Sequence, residues 1–293
     1  MPKRTDIKKI MIIGSGPIVI GQAAEFDWAG MQASAALREA GYEVVVVNSN
    51  PATVTTDAAV ADKVYMEPLT LEYVARILRR ERPDAILPGF GGRTGLELAL
   101  SLQRKGILRE CRTKLLGIDA DSIEKTTDRR LFNAFCAGIG EPALPFAIVG
   151  TAEEGALTAE KFGFPVMLRP AFTRGETDGR FAAGAEELQD VMQDVLSGSP
   201  VGKMRMEKSV SGWKEIEFEV LRDDSDAVVS VCCMESVDPV GIHAGDSMVA
   251  APCQSLSDKD LSMLRESAAK LIRALQITGV CGVRFALSPE TSE

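Results

Sequence analysis

The sequence predicts an α/β protein: a parallel sheet covered by helices on both faces, followed by an α+β domain. Three observations carry that expectation. Short, continuously apolar runs alternate with helical patterns through the first 127 residues, as strands buried on both faces require. Two of those runs pass directly into glycine turns, "GSG" and "GFGG". Beyond residue 127 the rhythm changes to adjacent, antiparallel-looking strands with few helices between them.

Taken in order, "KKIMIIGSGP" reads as a strand entering a glycine turn, and "AAEFDWAGMQASAALREAG" as a helix ended by Gly41. "YEVVVVNSNP" is a buried strand. "TLEYVARILRRERP" is a helix stopped before Pro83, and "DAILPGFGG" is a further strand and turn. A helix "TGLELALSLQRKG" and a strand "TKLLGI" complete the first half. "SIEKTTDRRLFNAFCAGIGEP" reads as a helix leading into the strand–helix–strand unit "LPFAIVGTAEEGALTAEKFGFPVMLRP". A helix near 185–197, strands "KMRMEK", "KEIEFEVLRD" and "AVVSVCCMES", a helix "DKDLSMLRESAAKLIRALQ" and a last strand "GVCGVRFALSP" follow. Ligands of parallel sheets bind at the carboxyl ends of the strands, which directs attention to the two glycine turns.

The 293 residues suffice for about two domains, placed at 1–127 and 128–293. A net charge of −9 argues against a general binder of nucleic acid or anionic membranes, though not against nucleotides in a local cationic pocket. The six cysteines form no C-x-x-C pair and the chain has one histidine, a poor basis for a zinc site. "MPKRTDIKKIMIIG" reads as a first strand and not as a signal peptide, and no apolar segment approaches membrane-spanning length. These features predict a cytoplasmic protein with reduced thiols, most of them in the core.

"GSGPIVIG" has the spacing G-x-G-x-x-x-x-G, not the G-x-G-x-x-G of dinucleotide sites. The second strand ends at Asn48, where an NAD site usually places a ribose-binding carboxylate. The turn alone fits a structural tight turn or a phosphate contact, and NAD less well than either.

Longer stretches are more specific. "MPKRTDIKKIMIIGSGPIVIGQAAEFDWAGMQASAALREAGYEVVVVNSNPATVTTD", "ERPDAILPGFGGRTGLELAL", "DRRLF", "GFPVMLRPAFT", "SGWKEIEFEVLRD" and "VGIHAGDSMVAAP" together resemble the amino-terminal part of the carbamoyl-phosphate synthetase large subunit over nearly the whole chain. The resemblance implies a Rossmann-like, parallel-sheet pre-ATP-grasp domain followed by an α+β ATP-grasp domain lacking its carboxyl-terminal strands. It further implies ATP-dependent phosphorylation of bicarbonate to carboxyphosphate, attack by ammonia from a glutaminase small subunit, and a place in pyrimidine and arginine biosynthesis. ATP with Mg²⁺ would be the attendant ligands, with K⁺ as a further candidate.

Residue by residue, the resemblance makes Arg129 and Arg169 ATP contacts, each suited to pairing bidentately with phosphate. The same residues also fit a helix-surface arginine and a strand-end ion pair. Gly175 falls in the phosphate loop, Glu215 where the ribose hydroxyls are met, and His243 in the nucleotide site as a hydrogen-bonding group. Glu215, Asp238 and Ser247 match a monovalent-cation loop, with Ser236 where an amide is typical. Arg93 and Thr94 open a helix after a strand, a favourable place for an anion such as bicarbonate, although an arginine there is commonly just on the surface.

Several departures bear on catalysis. The loop "RPAFTRGETDGR" carries Arg174, Glu176, Asp178 and Arg180 where the family has glycine and serine, whose backbone N–H groups approach phosphates closely. Its carboxylates would oppose a polyanion unless the arginines neutralise them. Arg284 stands where the family supplies a Mg²⁺ ligand, and a guanidinium cannot ligate a cation. It compromises the Mg²⁺ site and leaves direct phosphate contact as its alternative role. Lys208 replaces an acidic residue on the adenine side. The sequence also stops at "SPETSE", before the family's strand of Glu and Asn metal ligands. Two readings stand: the carboxyphosphate-forming part of an ATP-dependent ligase, inactive as this chain alone, or a degenerate relative that binds an anion, nucleotide or partner without turnover.

Overall fold

The computed structural model describes residues 3–16, 22–171, 179–199, 201–241 and 247–293, with side chains of the first helix from residue 26 onward. In chain order the first half comprises β1 (Lys9–Ile13), α1 (Gln22–Glu39), β2 (Glu43–Asn48), β3 (Lys63–Met66), α2 (Leu71–Glu81), β4 (Ala85–Leu87), α3 (Gly92–Arg104), α4 (Ile107–Cys111), β5 (Lys114–Leu115) and α5 (Ala120–Thr127). Then come α6 (Arg129–Ile139), β6 (Phe146–Val149), α7 (Ala152–Phe162), β7 (Val166–Pro170), β8 (Arg180–Ala182), α8 (Ala185–Ser197) and β9 (Met204–Lys208). The chain closes with β10 (Lys214–Arg222), β11 (Val228–Ser236), β12 (Val249–Ala250), α9 (Asp258–Ala274) and β13 (Gly279–Leu287).

The first sheet is parallel, in the order β3-β2-β1-β4-β5. Its strands are apolar throughout because both faces are buried. Met11, Ile13, Val45 and Val47 face the core that also holds Val74 and Leu78 of α2 and Leu98 and Leu102 of α3. Ile12, Val44 and Val46 face the other way, toward Ala33 and Leu37 of α1. The strand order reverses between β1 and β4, and both glycine turns lie at that point.

Those glycines serve close packing. A Cβ on Gly14 would sit 2.6 Å from the Asn48 side chain, and one on Gly91 only 2.6 Å from the Gly14 carbonyl oxygen. Asn48 is fully buried; its Oδ1 accepts from the Gly16 N–H at 3.1 Å and its Nδ2 donates to Thr55 Oγ1 at 3.0 Å. The first turn thus packs on an internally bonded amide where an NAD site would need a ribose carboxylate.

Two four-stranded sheets complete the chain, β6-β9-β7-β8 and β12-β11-β10-β13. The chain divides into two compact units, one of residues 1–132, 215–238 and 242–285, the other of 133–214, 239–241 and 286–293. In the second unit α7 and α8 cover one face of their sheet, burying Val166, Leu168, Met204 and Met206 with Leu188, Met192 and Val195. In the first, the α9–β13 segment is tied to the parallel-sheet region. Ser122 Oγ donates to the Leu275 carbonyl at 2.6 Å, and the Thr278 N–H to the Gly117 carbonyl at 2.8 Å.

Four helix starts carry side-chain caps: Thr70, Asp119, Thr151 and Ser257 accept from backbone N–H groups of α2, α5, α7 and α9. The helix anticipated across 122–139 is two, because Asp128 Oδ1 accepts from the Arg130 N–H at 2.8 Å and the Leu131 N–H at 3.1 Å and starts α6 afresh. The short elements β3, α4, β8 and β12 carry too little periodicity to read from sequence. The expectation of reduced thiols fails for one pair. Cys233 on β11 and Cys253 form a disulfide, their Cα atoms 5.6 Å apart. The Cys253 N–H donates to the Cys233 carbonyl at 3.0 Å, so backbone pairing aligns residues that a 20-residue separation leaves unconnected. Cys111, Cys136, Cys232 and Cys281 are free thiols. Among the described residues no helix is long and apolar enough to cross a membrane.

Candidate functional site

The expected site residues that the structure describes fall on two sheet faces, in the first turns of α3 and α6, and at Asp238 and Ser247 after β11. In the second unit, β7 alternates so that Val166 and Leu168 enter the core while Met167 and Arg169 face away from the covering helices. Register then decides the neighbours. Arg169 stands opposite Arg205, Met167 opposite Glu207 and Phe181, and Arg205 opposite Ile148. Directly opposed residues share a face, so Arg169, Arg205, Glu207, Met167, Phe181 and Ile148 form one surface.

Its chemistry has two parts. Arg205 Nε lies 3.2 Å from Glu207 Oε1, a carboxylate of which only 5% of the side chain is exposed, and Arg169 Nε donates to Met167 Sδ at 3.2 Å. Among the described residues, two guanidiniums stand against one carboxylate on this face. Phe181 and Ile148 are exposed beside them. An apolar strip adjoining paired guanidiniums suits a ligand with a flat apolar end and an anionic end. Arg169 was legible in the sequence. Arg205 and Glu207 were missed; their alternation in "MRMEK" gave a common face, but only the register set them opposite β7.

Arg180 does not lie on this surface. It opens β8 opposite Leu168, and its guanidinium reaches Asp194 of α8 at 3.2 Å. Strand alternation turns it toward the helices, while Glu176 and Asp178, the carboxylates it was expected to neutralise, lie outside the described residues. Arg174, Gly175, Glu176 and Asp178 lie outside the described residues, as does His243. Lys208 ends β9 with its Nζ 5.6 Å from the Trp213 ring centroid and 3.9 Å from Glu293 Oε2.

The second face belongs to β10 and β13. Ile216, Phe218 and Val220 are buried, which puts Glu215, Glu217 and Glu219 together on the opposite side. Arg284 of β13 reaches them: its Nε is 2.9 Å from Glu217 Oε2 and 3.8 Å from Glu215 Oε1. Gly282 makes room, since a Cβ there would be 3.1 Å from Glu217 Oε1 and 2.9 Å from Glu219 Oε1. Cys281 points the other way, and burial, with a lesser contribution from the Glu219 charge, pushes its thiol up to about 11.

Asp238 and Ser247 are brought together: the Asp238 N–H donates to Ser247 Oγ at 3.3 Å, beside the Val237 N–H bond to the Met248 carbonyl at 2.8 Å. Among the described residues no group of three or more His, Cys, Asp or Glu side chains is arranged to hold a metal ion. The β10 face does not fit a divalent ion either, because the guanidinium already holds the carboxylates. Arg129 is exposed at the start of α6. Arg93 and Thr94 are exposed in the first turn of α3, and Arg93 Nε donates to Glu97 Oε1 at 2.7 Å. The local salt bridge is the commoner, surface alternative for Arg93.

Two family models match, the carbamoyl phosphate synthase preATP-grasp domain over residues 6–125 and the carbamoyl-phosphate synthase L chain ATP binding domain over 128–293. Among solved structures, biotin carboxylase from Campylobacter jejuni superposes with a TM-score of 0.72 at 19% identity, covering 98% of this chain and 63% of that one. The biotin carboxylase domain of Hydrogenobacter thermophilus 2-oxoglutarate carboxylase, solved with MgADP, ADP and bicarbonate, gives 0.70 at 20% identity, covering 97% and 62%. N5-carboxyaminoimidazole ribonucleotide synthetase from Thermotoga maritima gives 0.65 at 19% identity, covering 98% and 66%. The chain spans less than two thirds of each of these proteins. Their likeness establishes an ATP-grasp architecture.

Proposed function

This chain belongs to the carbamoyl-phosphate synthase L chain family, and we propose that it is the amino-terminal, carboxyphosphate-forming part of such a ligase, with a pre-ATP-grasp domain at 1–127 and an ATP-grasp domain at 128–293. The observation that carries the reading is the surface of Arg169, Arg205, Met167 and Phe181. Paired guanidiniums there take phosphate oxygens and the apolar strip takes the base. Arg129, Gly175 and His243 join the nucleotide contacts, Glu215 meets the ribose, and Arg284 turns toward phosphate. Arg93 and Thr94 offer bicarbonate the uncapped amino end of α3, where N–H groups face an anion.

In phosphoryl transfer the protein contributes positioning and charge stabilisation, so two aligned guanidiniums supply what developing phosphate charge needs. Mg²⁺, when bound to the nucleotide, would neutralise the same oxygens, but this chain's described residues offer it no ligand set and no step is assigned to it. K⁺ would be held by Glu215, Asp238 and Ser247. Ammonia from a glutaminase subunit, carbamoyl phosphate for pyrimidine and arginine synthesis, and a cytoplasmic setting complete the proposal. A second reading, binding of an anion, nucleotide or partner without turnover, is favoured by one observation, the engagement of Arg284 with Glu217.

Calorimetric titration with ATP and ADP, with and without Mg²⁺, tests the common premise. Micromolar ATP binding is expected, weakened about 10- to 100-fold in Arg169→Gln, the range for a lost charge-assisted contact. No heat at millimolar ATP refutes a nucleotide site. Bicarbonate-dependent ATP hydrolysis, measured next, separates the ligase from the non-catalytic reading.

A further inference from the structure

Three carboxylates on one strand face form a ladder with about 6–7 Å between successive members. Left to itself, such a ladder draws a cation from solution. Here the neighbouring strand supplies one. Gly282 has no side chain to obstruct Glu217 and Glu219, whose carboxylates lean across β13. Two residues further along the same face, Arg284 places its Nε 2.9 Å from Glu217 Oε2 and 3.8 Å from Glu215 Oε1. Glu215 and Glu217 are largely shielded, with 17% and 27% of their side chains exposed, so their mutual repulsion is poorly screened without a counter-charge.

We propose that Arg284 is a tethered counter-cation to Glu217 and Glu215, so that this face excludes Mg²⁺ and Mn²⁺ and meets an anionic ligand through a guanidinium. The physical grounds are three. A guanidinium has five donors and no acceptor, so it satisfies carboxylate oxygens but ligates no metal. Mg²⁺ demands a near-octahedral set of oxygen ligands, and Glu217 Oε2 is already bonded to Arg284. A tethered charge pays little entropy on engaging the carboxylates, whereas an ion from solution must also displace it. The ligand-facing half of the inference rests on the nucleotide reading; the exclusion of metal does not.

Paramagnetic resonance of Mn²⁺ titrated into the full chain, without nucleotide, tests the exclusion directly. Wild type and Arg284→Lys, which keeps the tethered charge, should leave the free Mn²⁺ signal intact to millimolar concentration. Arg284→Gln should bind Mn²⁺ saturably and at least tenfold more tightly, and adding Glu217→Gln should abolish the gain. Arg284 is half exposed, so the glutamine variant should fold, which circular dichroism verifies. Equal Mn²⁺ binding by wild type and Arg284→Gln overturns the proposal, as does no binding by the folded glutamine variant. Gain of Mn²⁺ binding in a chain that takes no ATP would instead sink the nucleotide reading alone.

Discussion

Replacing Glu81 with glutamine should destabilise the parallel-sheet unit by about 3 kcal/mol at neutral pH, with a definite pH dependence. Only 3% of the Glu81 side chain is exposed, at the end of α2. Its carboxylate accepts from Lys63 Nζ at 2.8 Å, Tyr65 Oη at 2.5 Å and Lys9 Nζ at 3.2 Å, binding β1, β3 and α2 together. Burial alone would raise the carboxyl, but the hydrogen bonds from Lys63, Tyr65 and Lys9 outweigh it and hold the group at about 2, below its ordinary 4.5. At ~1.4 kcal/mol per tenfold change in proton affinity, that difference is worth about 3 kcal/mol. The sign follows from linkage: the folded carboxyl is the stronger acid, so the stabilisation is full above about pH 4.5 and is lost as pH falls toward 2. Glutamine mimics the protonated form. The gap between wild type and Glu81→Gln should therefore narrow from about 3 kcal/mol at pH 7 to about 2 at pH 3.5. Urea unfolding followed by Trp28 fluorescence in a Trp213→Phe background reports this unit. A gap below about 1 kcal/mol at pH 7, or one unchanged between pH 7 and 3.5, would refute the assignment of this cluster as a stabilising ion-pair network.

Two further substitutions probe the fold. Gly91→Ala would place a Cβ 2.6 Å from the Gly14 carbonyl oxygen and 2.8 Å from that of Ile13. Both obstacles are backbone, so the melting temperature should fall by an amount equivalent to about 1–3 kcal/mol, whereas an exposed helix glycine changed to alanine should stabilise. Cys253→Ser opens a disulfide that closes a separation of 20 residues, and chain entropy puts its loss at about 3 kcal/mol. Dithiothreitol should lower wild-type stability by the same amount and leave the serine variant unchanged.

The fold was legible where pattern and tertiary setting agree. Ile10 to Ile13 and Val44 to Val47 are apolar at every position because both faces are covered, and that continuity alone signals a parallel sheet. The helix over 185–197 was readable from periodicity, and α2, α5, α7 and α9 start at Thr, Asp or Ser caps. The strands Arg180–Ala182 and Val249–Ala250 were not legible, being too short to show alternation and formed only through their partners. Among the candidate residues, Arg169 and Glu215 were named from motif alone. Arg205 and Glu207 could not, because their significance lies in standing opposite another strand.

By itself, the sequence determined the layering of the first unit and the position of its longer helices, which follow from local periodicity, and, through the stretches that resemble a known family, the family and the attention drawn to Arg284. Only the tertiary structure decided that Arg205 faces Arg169, that Arg180 turns to Asp194, that Cys233 meets Cys253, and that Arg284 rests on Glu217. The physical reason is common to the four. Each pairs residues on different strands, helices or loops, and which side chains meet there depends on register, where a slip of one residue would exchange the two faces.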